Sequence, residues 1–387
     1  MNNVLIFIGH YLPGWRVGGP ARSTASMAES LTDYKFHIFA SETDFASDEV
    51  LEGIGVDQWQ QWGRAKVFYA SAKRRTSLAL RRKIREIKPD LIYLHGFFAR
   101  RFTMPILVLR RLSLLPRIPI IVAPRGEFSP GALKLKQGRK AAYLRIARCL
   151  GLYGGVIWHA ASEQEQNDIR RVQGDDVKVV LASNFPAIPH TDAAEVHEEK
   201  DSNRCKLVFL SRISREKNLF GAIETLTTVH GNVVFDIYGP IENADYWARC
   251  QSAMDRLPKN VTIRYCGEIT QGASQGVFAG YDALFLPTLG ENYGYVIVEA
   301  WAAATPVLIS NRTPWDGLED DHAGWSAAPD DHAAFAESIN ALAAMDETEH
   351  RLWRDGALRR AWTLANDAAL RAAYDHLFEA ALENREN

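Results

Sequence analysis

The chain is expected to be an α/β protein built from two doubly wound, Rossmann-like parallel-sheet domains. Three observations lead there. Its 387 residues exceed what one ordinary hydrophobic core organises. Short apolar runs alternate with helical segments twice over, first across 3–181 and again from 206 onward, as in parallel strands joined by crossover helices. Between the two series lies PAIPHTDAAEVHEEKDSNR, residues 186–204, a polar, acidic, proline-containing linker by composition. The expected division is 1–185, a linker over 186–204, a second domain over 205–365, and a terminal helix over 366–387.

Composition narrows the class. The balance of apolar and charged residues is that of a soluble globular protein, and no apolar run approaches bilayer-spanning length. Met1–Ile8 lacks a basic leader region and reads as a strand rather than a signal peptide. Cys149, Cys205, Cys250 and Cys266 are scattered without C-x-x-C spacing, which points to a reduced cytoplasm and no zinc site. His190 and His197 fall in the linker without metal-ligand spacing and are expected to be solvated. The net charge of −2 conceals an asymmetry: from Arg64 to Arg148 there are 22 Lys and Arg against three acids. Such a stretch suits nucleic acid, an anionic membrane face or a phosphorylated acceptor.

In chain order, residues 3–9 read as a buried strand. Gly18-Gly19-Pro20 then opens a helix, and glycines there allow backbone N–H groups to approach a phosphate; a plain turn accounts for them equally well. Strands follow at 35–40 and 67–69, with Trp59 and Trp62 in a loop between them, and 77–87 forms a basic helix. The strand 90–94 ends at His95, and the strand 119–122 ends at Pro124-Arg125-Gly126-Glu127. Ligands of open α/β sheets sit outside the strand C-termini, so His95 and Arg125 are candidates to face a site. A hydrogen-bonded structural role is the competing reading for His95. Arg125 could contact phosphate bidentately, and Glu127 could orient or deprotonate a hydroxyl. The stretch KLKQGRKAAYLRIAR, 134–148, places basic residues around Leu135, Tyr143, Leu144 and Ile146. It fits a helix lying on an anionic interface, or simply a solvated basic helix.

The second domain restarts with a strand at 206–210, closing on Ser211-Arg212-Ile213-Ser214-Arg215-Glu216-Lys217-Asn218 before a helix. Arg212 and Lys217 bracket that turn, so two cations and a helix N-terminus converge as at a diphosphate site. Strands follow at 233–238 and 261–265. The densest signal is ALFLPTLGENYGYVIVEAWAAA, residues 283–304: a strand, a glycine-flanked turn, then a helix. Glu291 and Glu299 stand eight positions apart, about 12 Å along a helix. Two separated carboxylates can hold a polyhydroxylated ligand at two places, such as a sugar and a ribose; an N-cap acid plus a helix-face acid is the plainer alternative.

This block resembles the E-x7-E signature of the GT-B glycosyltransferases, in the large retaining family called family 4 or group 1. The resemblance extends over essentially the whole chain and implies a GT-B architecture with an interdomain cleft, its final helix folding back to the first domain. It implies donor contacts at Arg212 and Lys217 (diphosphate), Glu299 (ribose), Glu291 (sugar), Gly18 and Gly19 with Arg22 (phosphates), and Ile269 (nucleobase). Asn292, Tyr293 and Gly294 complete the donor loop. Glu291, His95, Arg125 and Glu127 are the catalytic-face candidates. Many relatives carry a histidine after the strand aligned with 119–122, where this chain has Pro124-Arg125-Gly126-Glu127.

The activity implied is that of a retaining hexosyltransferase taking a UDP- or GDP-sugar as donor, with no cofactor. The absence of Asp-x-Asp is consistent with metal independence. The cationic first domain suggests a lipid-diphosphate-linked or oligosaccharide acceptor in exopolysaccharide or lipopolysaccharide synthesis. It places the enzyme peripherally on the inner face of the cytoplasmic membrane, without nucleic acid as partner. A GT-B nucleotide-sugar epimerase is the alternative, and donor isomerisation without an acceptor would reveal it. A nucleic-acid-binding protein would leave the Glu291/Glu299 pair unexplained, and a nicotinamide dehydrogenase would need the missing G-x-G-x-x-G.

Overall fold

The computed structural model describes residues 1–383 apart from 15, 17, 46, 135, 136, 190–198, 203 and 270–272. The chain divides into unit 1, Met1–Phe185 with Asp367–Asn387, and unit 2, Pro186–Asn366.

Unit 1 contains strands β1 (Asn2–Phe7), β2 (Tyr34–Ser41), β3 (Trp59–Trp62), β4 (Ala65–Ala70), β5 (Leu91–His95), β6 (Ile120–Ala123), β7 (Ile157–Ala160) and β8 (Val179–Leu181). Its helices are α1 (Gly19–Ser30), α2 (Ser77–Ile87), α3 (Thr103–Arg111), α4 (Pro130–Lys134), α5 (Gln137–Cys149) and α6 (Glu163–Gln173). The sheet runs β3-β4-β2-β1-β5-β6-β7-β8, parallel except where β3 pairs antiparallel with β4. β1 is buried along Val4–Phe7 because apolar clusters cover both faces of the sheet, which is why it reads as an unbroken apolar run. In α2 the Thr76 hydroxyl caps the N-terminus at Ala79 N, and Leu80 and Ile84 turn inward while the basic residues stay outside.

Two readings of this half are corrected. Trp59 and Trp62 lie on edge strand β3 rather than in a loop; Trp59 tilts against Phe68 across the pair, with ring centroids 5.3 Å apart. The basic stretch 134–148 is divided between α4 and α5. Tyr143 and Leu144 pack on the core of unit 1, and Ile146 alone of the apolar residues named there points outward, 56 % exposed; Leu135 lies outside the described residues.

Unit 2 contains β9 (Cys205–Leu210), β10 (Val233–Tyr238), β11 (Val261–Gly267), β12 (Ala283–Leu286), β13 (Val307–Ser310) and β14 (Gly324–Ala327). Its helices are α7 (Leu219–Leu226), α8 (Ala244–Met254), α9 (Ala273–Ala279), α10 (Tyr295–Ala302), α11 (His332–Ala344) and α12 (Glu347–Ala365). The sheet is parallel throughout in the order β11-β10-β9-β12-β13-β14. The last helix, α13 (Ala368–Glu383), belongs to unit 1, where Tyr374, Leu377 and Phe378 are buried against the sheet.

Both sheets therefore have the expected doubly wound form. In each, strand order reverses once near the middle, between β1 and β5 and between β9 and β12. Loops leaving the C-terminal ends of strands at such a reversal splay apart and leave a crevice for a ligand.

Candidate active site

In unit 2 the predicted residues leave the two strands that flank the reversal. Arg212 and Lys217 follow β9, and Glu291 follows β12. Lys217 Nζ is ion-paired with the Glu291 carboxylate, and the two side chains are only 12 % and 13 % exposed. The loops are joined by more than this pair. Thr288 Oγ1 and Leu289 N both donate to Glu216 O, at 3.0 and 2.8 Å. Asn218 adopts the left-handed conformation at φ 56°, and its Oδ1 caps α7 by accepting from Gly221 N. Its Nδ2 donates to Pro287 O at 2.9 Å. An asparagine suits this position, since its short polar side chain tolerates that backbone region and satisfies free groups at a helix start.

Helix α10 begins at Tyr295, with Gly294 as its N-cap at φ 71°. The positive φ is what favours glycine here; a Cβ would meet only the movable end of Ile297, at 2.7 Å from Cδ1. Glu291 therefore lies in the loop, its N–H donating to Arg312 O at 3.0 Å, and not at a helix mouth; the two-turn spacing inferred from an unbroken helix does not apply. Glu299 sits within α10 and is buried. Tyr293 O accepts from Trp315 Nε1 at 2.6 Å, and Trp315 packs edge-on against Tyr293 and Trp301. Asn292 is exposed. Ile269 is half-buried against the unit 2 core.

Arg212 meets a carboxylate that the sequence did not single out. Its Nη1 donates to both oxygens of Glu242, at 2.9 and 3.0 Å. Glu242 follows β10, and Gly239-Pro240 at the end of that strand was the available signal.

In unit 1, His95 ends β5 and Arg125 follows β6, and the structure brings them together. Arg125 Nε donates to His95 Nδ1 at 3.4 Å, Nη1 to Asn184 Oδ1 at 2.5 Å, and Nη2 to the Tyr93 hydroxyl at 2.9 Å. With Nδ1 accepting, neutral His95 carries its proton on Nε2, 3.2 Å from Thr24 Oγ1 on α1, whose hydroxyl donates to Pro20 O. The Tyr93 hydroxyl donates to His159 Nδ1, and His159 Nε2 donates to Ala182 O at 2.8 Å. Burial, then Arg125, hold His95 well below its usual pKa and His159 down at about 3, so both rings are neutral. Arg125 thus spends its donors inside unit 1, where an external phosphate contact had been anticipated.

Glu127 lies beside this network. Its carboxylate accepts from Phe98 N at 2.8 Å. Burial raises its pKa against the lowering pull of the Phe98 and Phe97 N–H groups and of Lys140. Gly126 N and Ala161 N donate to the two oxygens of buried Glu165, each at 2.7 to 2.8 Å; this brace, like Tyr93, His159 and Asn184, carried no local sequence signal. Gly18 caps α1 at φ 71° and Gly19 is its first residue. Among the described residues, no group of three or more His, Cys, Asp or Glu could hold a metal ion, and no helix is long and apolar enough to cross a membrane.

Part of the chain and its fold match known proteins. Residues 191–359 match the family model described as glycosyl transferases group 1. The processive diacylglycerol α-glucosyltransferase of Acholeplasma laidlawii is 25% identical over 120 residues, a stretch covering 31% of this chain and 35% of that protein. The sucrose-phosphate synthase of Thermosynechococcus elongatus superposes with a TM-score of 0.65 at 16% identity, covering 98% of this chain and 99% of that one. The Anabaena protein HepE in complex with UDP-glucose gives 0.64 at 17% identity, over 98% and 99%. Residues 191–359 are thus similar to the glycosyl transferases group 1 family, in a chain whose two parallel-sheet α/β units have the fold of GT-B glycosyltransferases.

Proposed function

We propose that this chain is a retaining hexosyltransferase that moves a sugar from a nucleoside-diphosphate sugar to a hydroxyl of a lipid-linked glycan acceptor. The reading extends to cell-surface polysaccharide synthesis at the inner face of the cytoplasmic membrane. The observation that carries it is the Lys217–Glu291 pair on the two loops at the strand reversal of unit 2, with Arg212 on the first of those loops. A cation and a carboxylate at one place suit a ligand that is anionic at its phosphates and hydroxylated at its sugar.

In this reading Arg212 and Lys217 hold the diphosphate, Glu299 the ribose hydroxyls and Glu291 the sugar hydroxyls. The bond from the anomeric carbon to the phosphate oxygen breaks, and the two cations stabilise the charge that develops on the leaving diphosphate. The acceptor oxygen attacks from the same face, and its proton passes to the departing phosphate oxygen. Glu127, with its raised pKa, orients the acceptor hydroxyl. A sugar adduct on Glu291 in mass spectrometry would overturn this direct path. HepE was solved with UDP-glucose, which makes UDP the first nucleotide to test. The name of the Acholeplasma relative, a diacylglycerol glucosyltransferase, supports a lipid acceptor, as does the cationic stretch of unit 1.

The test is thermal stabilisation by UDP, GDP, ADP and dTDP, with Glu299→Ala alongside. A nucleotide at a hundred times its Kd adds about 2.7 kcal/mol. One nucleotide is expected to stabilise the wild type and to lose most of that effect in the variant. No response to any of the four, in folded protein, would reject the donor site.

A further inference from the structure

The contact between Arg212 and Glu242 is set up by the backbone. Gly239, at φ 136°, brings the end of β10 against the end of β9 so closely that a Cβ there would lie 1.9 Å from Ser211 O. Beyond it the two loops pair for a further step. Ile213 N donates to Pro240 O at 2.8 Å, and Glu242 N donates to Ile213 O at 3.2 Å. Ile213 is fully buried, which pins this short pairing to the core. The backbone origins of Arg212 and Glu242 are thereby fixed opposite each other. Their side chains, each 48 % exposed, remain free to swing. The Lys217–Glu291 pair differs in being almost covered.

We propose that Glu242 sets the affinity of the site for phosphorylated ligands: it is an internal competitor whose carboxylate occupies Arg212 and gives way to a ligand carrying a diphosphate. The inference rests on the reading of Arg212 as a diphosphate ligand. An incoming phosphate must displace the carboxylate from the guanidinium. A half-exposed ion pair is weak, so a diphosphate, able to make several charge-assisted contacts, overcomes it. The displacement costs some affinity for every ligand that must contact Arg212.

The experiment measures affinities of wild type, Glu242→Gln, Arg212→Ala and the double variant for UDP, UMP and uridine, and for GDP, GMP and guanosine. Glutamine keeps an oxygen for Arg212 but removes the charge. The expected result is about two- to fivefold tighter binding of the diphosphate in Glu242→Gln, the range an exposed pair supports. A similar gain is expected for a monophosphate that reaches Arg212, and nucleoside affinity is unchanged. The gain should vanish when Arg212 is already alanine, the signature of direct coupling. Unchanged or weaker diphosphate binding in Glu242→Gln, while Arg212→Ala still weakens it, would overturn the role of Glu242 and leave the donor reading intact. Diphosphate binding indifferent to Arg212→Ala would overturn the donor reading itself, and this inference with it.

Discussion

Arg125 shows how a residue chosen for one chemistry can be committed to another. Its backbone is left-handed, at φ 55°, and its guanidinium joins β5 to the segment after β8 through His95, Tyr93 and Asn184. His159 is the titratable centre of this cluster, faced by Tyr93, Arg125, His95 and Tyr374. Its folded pKa, about 3, lies below the ordinary value near 6.5. Folding therefore favours the neutral ring, and the stability this confers is complete above about pH 6.5 and is lost as pH falls toward 3. The loss between pH 7 and pH 4 should be about 3 kcal/mol from this group. Chemical denaturation at those two pH values should show unit 1 weakening. His159→Gln should flatten the dependence, since glutamine can serve both Tyr93 and Ala182 without titrating. Equal pH slopes in the two proteins would refute the assignment.

The site's residues differ in how far the sequence exposed them. Arg212 and Lys217 were visible because they follow an apolar strand run, Glu291 because it follows another at a glycine-flanked turn, and Glu299 by its spacing from Glu291. Glu242 and Asn218 were not, because their importance comes from partners 30 and 69 positions away. Local pattern carries no information about a contact closed by sheet order.

At the scale of elements, the cationic stretch resolves into a surface. Helices α2 and α5 turn Leu80, Ile84 and Ala147 inward. They leave exposed Arg139 and Arg145 together with Leu78, Ile146 and Leu150. Arg81 Nε donates to Leu114 O and Arg111 Nε to Leu150 O, tying the helix ends together. Basic groups interspersed with exposed leucine and isoleucine suit an anionic bilayer surface. The whole chain should co-sediment with phosphatidylglycerol vesicles and be released as salt rises. Arg139→Glu with Arg145→Glu should reduce that binding several-fold without altering the nucleotide-induced thermal shift. Binding insensitive to both salt and these substitutions would remove the membrane from the reading. Of the positions in this helical region, Lys136 lies outside the described residues.

At the scale of the whole molecule, unit 1 is discontinuous in sequence. Its sheet is completed by α13, which buries Tyr374, Leu377 and Phe378, and Tyr34 Oη donates to Asp375 Oδ1 at 3.1 Å. Burial of three such side chains contributes on the order of 5 kcal/mol, comparable to the net stability of a domain. Ending the chain at residue 366 should therefore make unit 1 sensitive to protease at temperatures where the intact chain resists, while unit 2 keeps its nucleotide response. Equal protease resistance with and without the terminal helix would show that unit 1 does not depend on it.

The sequence by itself determined the fold class, the alternation of strand and helix, and the two loops of unit 2 where charge gathers. These rest on short-range physics: apolar runs for strands buried on both faces, helical periodicity, and glycine where the backbone must turn left-handed. Edge strands β3 and β14 escaped that reading because WQQW and GWSA are short and only partly apolar. Only the tertiary structure decided which groups meet. It paired Lys217 with Glu291, gave Arg212 a competitor in Glu242, and turned Arg125 inward to His95, Tyr93 and Asn184. Each of those contacts depends on which strands lie side by side, and strand order is set by packing of the whole sheet rather than by any stretch of chain.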